Sequence, residues 1–173
     1  MQRTKNTNVT LIGMPGVGKS VIGRELAQRM GYAFIDTDVT IEKRAGLKLQ
    51  QILDTFGEEK FMKLEEQAAL DIGKTDKCII SPGGSIIYSE RAMKFLAENS
   101  RIVFLKMSFS GIRKRLANMD TRGIVGLKKK GLKALFDERS VLYERCADIK
   151  IELSDKDDLD TVVKTVIGEA FGR

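Results

Sequence analysis

The sequence contains no histidine and no tryptophan, and only two cysteines and two prolines in 173 residues. Without imidazole, any general base must come from Asp, Glu, Lys, Tyr or Cys, and imidazole ligation of a metal is excluded. Cys78 and Cys146 are too few for a disulfide scaffold, so a reducing, cytoplasmic setting is expected. No stretch approaches the ~20 apolar residues that cross a bilayer. The first six residues, Met1-Gln2-Arg3-Thr4-Lys5-Asn6, lack the apolar centre of a secretory leader. No membrane partner is therefore expected. Aromatic residues make up only 6% of the chain and the basic residues are scattered, so a net charge of +6 carries no nucleic-acid signature. The charge suits a protein whose ligands are polyanions.

What is present is concentrated near the N-terminus. Residues 13–20 read Gly13-Met14-Pro15-Gly16-Val17-Gly18-Lys19-Ser20, a complete GxxxxGK[ST] phosphate loop. An apolar run, Val9-Thr10-Leu11-Ile12, precedes it and a helical pattern from Val21 follows it. That strand–loop–helix context is what the motif requires. Glycines let the backbone curl so that successive N–H groups face phosphate oxygens. The helix that follows presents its positive end to the same anion. Lys19 is placed to reach the outer phosphates, and the Ser20 hydroxyl to ligate Mg²⁺.

Strand and helix signals alternate along the whole chain, which predicts a parallel sheet covered by helices. Five strands are expected, at Val9–Ile12, Ala33–Ile35, Cys78–Ile80, Ile102–Leu105 and Ile149–Ile151. Helices are expected at Lys19–Met30, Val39–Ala45, Leu49–Phe56, Glu58–Ile72, Ser89–Glu98, Ser110–Ala117, Leu132–Arg145 and Asp157–Phe171. Gly31, Gly46, Gly57 and Gly73 act as their stops. With no linker or repeat, residues 1–173 read as a single domain. Residues 118–131 hold Gly123, Gly126 and Gly131 beside Arg122 and Lys128-Lys129-Lys130. This segment reads as a mobile cationic lid that can close over phosphates; a solvated surface loop is the alternative.

Asp36-Thr37-Asp38 follows the second strand directly. Read as extended backbone, Asp36 and Asp38 share a face at the sheet edge where open α/β folds bind ligands. One carboxylate can hold Mg²⁺ through water while the other accepts a hydroxyl proton. The alternative reading makes Asp38 the N-cap of the helix that follows.

In order and spacing, these segments resemble the shikimate kinase family, in the nucleoside-monophosphate-kinase group of P-loop folds. The resemblance rests on Gly13–Ser20, Ile22–Ala27, Phe34–Asp38, Ile41–Gly46, Phe56–Phe61, Leu64-Glu65-Glu66, Gly83-Gly84-Ser85 and Glu138–Tyr143. It implies a three-layer α/β sandwich with a five-stranded parallel sheet, a mobile lid and a monomeric protein. It also implies phosphoryl transfer from ATP to a hydroxyl of a small carboxylated metabolite, shikimate first, as a step of aromatic amino acid biosynthesis. By that similarity residues 13–21, from Gly13 to Val21, hold the nucleotide phosphates and Arg115 stacks on adenine. Ser20 and Asp36 serve Mg²⁺. Asp38 binds and deprotonates the acceptor, Arg122 is the lid arginine, and Arg139 grips the acceptor carboxylate with Gly83 and Gly84 nearby.

Three positions depart from the family pattern. Met62 stands where the family has an arginine for the acceptor's carboxylate, and a thioether cannot make that bidentate contact. The loss is worth ~1.5–3 kcal/mol of binding. Lys63 points ~100° away on a regular helix. Met62 and Glu65, at i and i+3, share a helix face, so an acceptor pocket lined by that face is less cationic than expected. Pro82-Gly83-Gly84 replaces a triple glycine and removes one N–H. Arg122-Gly123-Ile124 replaces Arg-Pro-Leu. A kinase for another hydroxy acid or hydroxy amino acid, such as gluconate or homoserine, is the alternative. A non-catalytic nucleotide- or metabolite-binding regulator is the second. No Asn-Lys-x-Asp segment is present to read guanine, which argues against a signalling GTPase.

Overall fold

The computed structural model describes residues 7–117, 119 and 123–172. Five strands form one fully parallel sheet: β1 (Val9–Ile12), β2 (Ala33–Asp36), β3 (Cys78–Ser81), β4 (Arg101–Met107) and β5 (Ile149–Leu153). Their order is β2-β3-β1-β4-β5. The central strands β1 and β3 are buried along their whole length. Helices covering both faces favour such mostly apolar runs in place of alternation; Thr10 and Ser81 are the buried polar residues among them.

The helices are α1 (Lys19–Met30), α2 (Thr37–Ala45), α3 (Leu49–Leu70), α4 (Glu90–Asn99), α5 (Phe109–Ala117), α6 (Leu127–Cys146) and α7 (Leu159–Phe171). Their ends follow local chemistry. Gly31 takes the left-handed conformation (φ 66°) and returns its N–H to the last carbonyls of α1. The Ser89 hydroxyl accepts from Ala92 N–H at the start of α4, and Asp158 accepts from Thr161 N–H at the start of α7. Helix α3 is broken at Gly57 (φ 80°, ψ 171°) and α6 at Gly131 (φ 75°, ψ 161°). Among the described residues, no helix is long and apolar enough to cross a membrane.

Most of the expected elements are present, with ends shifted by one or two residues in several, and three differences bear on the site. A 3-10 turn, Gly84–Tyr88, follows β3. Helix α2 starts at Thr37, two residues before the expected Val39. Helix α6 starts at Leu127, so part of the expected lid is its first turn. The main core lies around the sheet, with Leu11, Ile79, Ile80, Val103 and Leu105 at its centre. A second, smaller core joins α2 and α3 through Ile41, Leu49, Ile52, Phe61 and Ala68, and Val125 closes it.

Candidate active site

Strand β1 lies between β3 and β4, so successive crossovers leave it to opposite sides and open a crevice at its carboxyl end. The phosphate loop follows β1 there, Asp36 ends β2, and Ser81-Pro82-Gly83 closes β3. A cavity of about 1040 Å³ occupies this edge. It is lined by Pro15, Gly16, Gly18, Lys19, Ser20 and Val21 on one side. Asp36, Asp38, Phe61, Glu65, Pro82, Gly83, Gly84 and Arg139 line the other.

The loop is shaped by its glycines: Gly16 and Gly18 have φ of 83° and 105°. A Cβ on Gly13 would lie 2.6 Å from the Leu105 carbonyl oxygen, which seats the loop against β4. Gly13 and Met14 do not line the cavity; their carbonyls accept from Lys19 Nζ at 2.8 and 3.2 Å. Burial lowers the Lys19 pKa to about 8, with Asp38 opposing the shift and Arg139 adding to it. Ser20 Oγ donates to Asp36 Oδ2 at 2.7 Å. This pair offers the hard oxygen donors that suit Mg²⁺, an ion that keeps several waters and needs few protein ligands.

The two aspartates are arranged differently from the sequence expectation. Asp36 is the N-cap of α2, its carboxylate accepting from Asp38 N–H at 3.0 Å and from Val39 N–H at 3.4 Å. Asp38 is the second residue of α2, within its first turn, so the pair does not share an extended face, and Asp38 is not the cap. Both carboxylates still line the cavity.

Glu65 is the residue sequence reasoning undervalued. It is 2% exposed and accepts a hydrogen bond from Ser85 Oγ. A Cβ on Gly83 would meet Glu65 Oε1 at 2.1 Å and Asp38 Oδ1 at 2.8 Å. Two oxygens that close to one point lie within about 5 Å of each other, where like charges oppose joint ionisation. Burial first, and Asp38 second, push the Glu65 pKa up to about 8. Gly83 is required here for close approach and not for φ, which is −61°. At Gly84 a Cβ would meet Pro15 Cδ at 2.9 Å and Arg139 Nη1 at 3.0 Å.

Arg139, on α6, is 1% exposed. Its Nη2 donates to the Val125 carbonyl at 2.8 Å and its Nε to Tyr88 Oη at 3.3 Å. The guanidinium lies 5.3 Å from the centre of the Tyr88 ring, a cation–π distance. Tyr143 Oη donates to the Gly84 carbonyl at 2.6 Å, which ties α6 to the turn after β3. Tyr143 closes the Glu138–Tyr143 segment, whereas Tyr88 lies in none of the segments that carry the resemblance.

Met62 is placed outside the cavity lining. It packs against the second core, while Phe61 and Glu65, four residues apart, face the cavity. Lys63 is exposed and pairs with Glu59 at 2.7 Å. Arg115 donates to the Val17 carbonyl at 2.8 Å. It borders a smaller cavity of about 210 Å³ with Val17, Val21, Ile22, Ser154, Asp157 and Val162. This narrow, mostly apolar slot beside the phosphate loop has the character a nucleotide base needs.

The expected lid divides. Arg122 lies outside the described residues, as do residues 118, 120 and 121. Residues 123–131 are not a free cationic loop. Ile124 and Val125 are buried, and a Cβ on Gly123 would lie 2.8 Å from the Leu49 carbonyl oxygen. Lys128, Lys129 and Lys130 pair with Asp54, Glu58 and Glu138 at 3.0, 2.7 and 2.6 Å. The positive charge read from the sequence is neutralised by acids 8 to 74 positions away.

Comparison with known proteins agrees with this geometry. A family model described as shikimate kinase matches residues 15–170. A shikimate kinase of Caldanaerobacter subterraneus is 32% identical over 92% of this chain and 94% of its own length. One from Thermobifida fusca is 35% identical over 84% of each. Among solved structures, shikimate kinase from Aquifex aeolicus superposes with a TM-score of 0.79 at 30% identity, over 95% of this chain and 96% of its own. Shikimate kinase from Acinetobacter baumannii, solved in complex with shikimate, gives a TM-score of 0.84 at 22% identity, over 96% and 93%.

Proposed function

We propose a function for this chain from one premise: it belongs to the shikimate kinase family and is an ATP-dependent phosphotransferase with an alcohol acceptor. The proposal is that it phosphorylates a hydroxyl of shikimate, using Mg-ATP in the cytoplasm. The observation that carries it is the convergence of Lys19, Asp38 and Arg139 on one cavity, with Arg139 buried yet open to it. A buried guanidinium in a ligand cavity calls for an anion, and a carboxylate matches its fork.

In this reading, Lys19 leaves the loop carbonyls and neutralises the outer phosphates of ATP. Asp38 orients the acceptor hydroxyl and takes its proton, since no histidine is present to do so. Arg139 holds the carboxylate at the far end, so the acceptor is fixed at two points. Phosphoryl transfer needs little beyond such positioning and charge neutralisation. Ser20 and Asp36 would hold Mg²⁺, which when bound offsets the negative charge of the phosphates. Arg115 and the apolar slot beside it would take adenine.

A second reading, in which the acceptor is another hydroxy acid, is favoured by Met62, because no second guanidinium from α3 faces the cavity. A coupled ADP-release assay with Mg-ATP separates the two readings. Shikimate, quinate, gluconate, homoserine and serine form the panel. Turnover on shikimate above the others supports the proposal; turnover on another acceptor with shikimate silent overturns it.

A further inference from the structure

The Val125 carbonyl and the Gly126 N–H belong to one peptide group, and opposite charges hold its two ends. Arg139 Nη2 donates to the oxygen at 2.8 Å. Glu58 Oε1 accepts from the N–H at 2.9 Å. A carboxylate at the hydrogen end and a guanidinium at the oxygen end both polarise the peptide in the same sense, so each bond strengthens the other. We propose that Glu58 is a positioning residue for the acceptor, holding the Arg139 guanidinium in place through the Val125–Gly126 peptide. The proposal rests on the reading of Arg139 as the carboxylate-binding group.

Three features support the linkage. Gly126 is the N-cap of α6 and has no side chain to cap with, so the helix takes its cap from α3. Glu58 follows the break at Gly57, where φ of 80° and ψ of 171° restart the helix. Its second oxygen is fixed by Lys129 Nζ at 2.7 Å, which orients the carboxylate plane. Lys129, then the Gly126 N–H, hold its carboxyl below the usual range, so it is charged at neutral pH. Val125 in turn is buried in the second core, so the peptide is held against α3 and cannot drift with solvent.

Steady-state kinetics of Glu58→Gln and Glu58→Ala test the proposal. Glutamine keeps an oxygen for the Gly126 N–H and loses the charge; alanine loses both. The KM for shikimate is expected to rise about three-fold in Glu58→Gln and about ten-fold in Glu58→Ala, with the KM for ATP unchanged. In an Arg139→Lys background, Glu58→Ala is expected to add less than about two-fold, because the link is already broken. Equal rises in both KM values, or full additivity with Arg139→Lys, would reduce Glu58 to a helix cap and overturn the proposal. A wild-type protein silent on shikimate defeats the functional reading instead. The second measurement then decides, because it needs no acceptor. In Glu58→Gln, the Gly126 amide and the Arg139 guanidinium NMR signals are expected to shift together; movement of the amide alone overturns the linkage.

Discussion

Replacing Glu65 by glutamine is expected to make the protein more stable at pH 8 and to leave its stability unchanged at pH 4. The side chain lies buried at the cavity wall against Ser85, Gly83 and Asp38, with a pKa pushed up to about 8 from 4.5. Between those values the folded protein keeps a proton that the unfolded chain has released. Stability therefore falls as pH rises from 4.5 to 8, at up to about 1.4 kcal/mol per pH unit. At pH 7 the accumulated cost is of the order of 3 kcal/mol, lessened by whatever relaxation the pocket allows. Glutamine has the same shape, keeps an oxygen for the Ser85 hydroxyl and has no charge to bury. The expected gain at pH 8 is about 1–3 kcal/mol, or about 3–10 °C in Tm for a domain of this size. Thermal denaturation of both proteins across pH 4–8 measures it. A gain that grows with pH supports the reasoning. A loss at pH 8, or a difference that is the same at every pH, refutes it.

Other expectations follow from the same geometry. Gly83→Ala drives a methyl into Glu65 Oε1 and Asp38 Oδ1; it should cost about 1–3 kcal/mol and raise the shikimate KM in steady-state kinetics. Gly31→Ala has φ of 66° but open space around it; it should cost about 1–2 kcal/mol in chemical denaturation and leave both KM values alone. Lys19→Met removes a buried ammonium whose pKa is lowered to about 8. Below that pH the folded state bears the cost of its charge, so the variant should be about 1–3 kcal/mol more stable at pH 7 while turnover collapses.

The parts of the fold visible in the sequence are those with local causes. The phosphate loop is contiguous, β1 and β3 are mostly apolar and buried throughout, and Gly31, Gly46 and Gly57 stop or break their helices as read, whereas Gly73 lies beyond the Asp71 cap that ends α3. The site is only partly of that kind. Lys19 and Ser20 follow from the loop alone, whereas Glu65 joins the cavity lining only once α3 is laid beside the turn after β3. Ser85, Tyr88 and Tyr143 reach the site through hydrogen bonds spanning 20 to 59 positions, which no periodicity reports. Asp36 and Asp38 show how one turn changes a reading. Starting α2 at Thr37 converts a shared strand face into a cap followed by a helical carboxylate. The lysines at 128–130 look like a free cationic run because their acidic partners are distant in sequence. Met62, read from the resemblance as standing for an arginine, packs against the second core and does not line the cavity.

Shikimate-dependent ADP release, compared between the wild-type protein and Asp38→Asn, tests the central claim most directly. Asparagine keeps the size of Asp38 and removes its charge and its ability to take a proton. The account predicts rapid Mg-ATP turnover on shikimate by the wild type and a fall in kcat of about 100-fold or more in the variant. Full activity in Asp38→Asn, or a wild-type protein that binds ATP and never turns over, would contradict it.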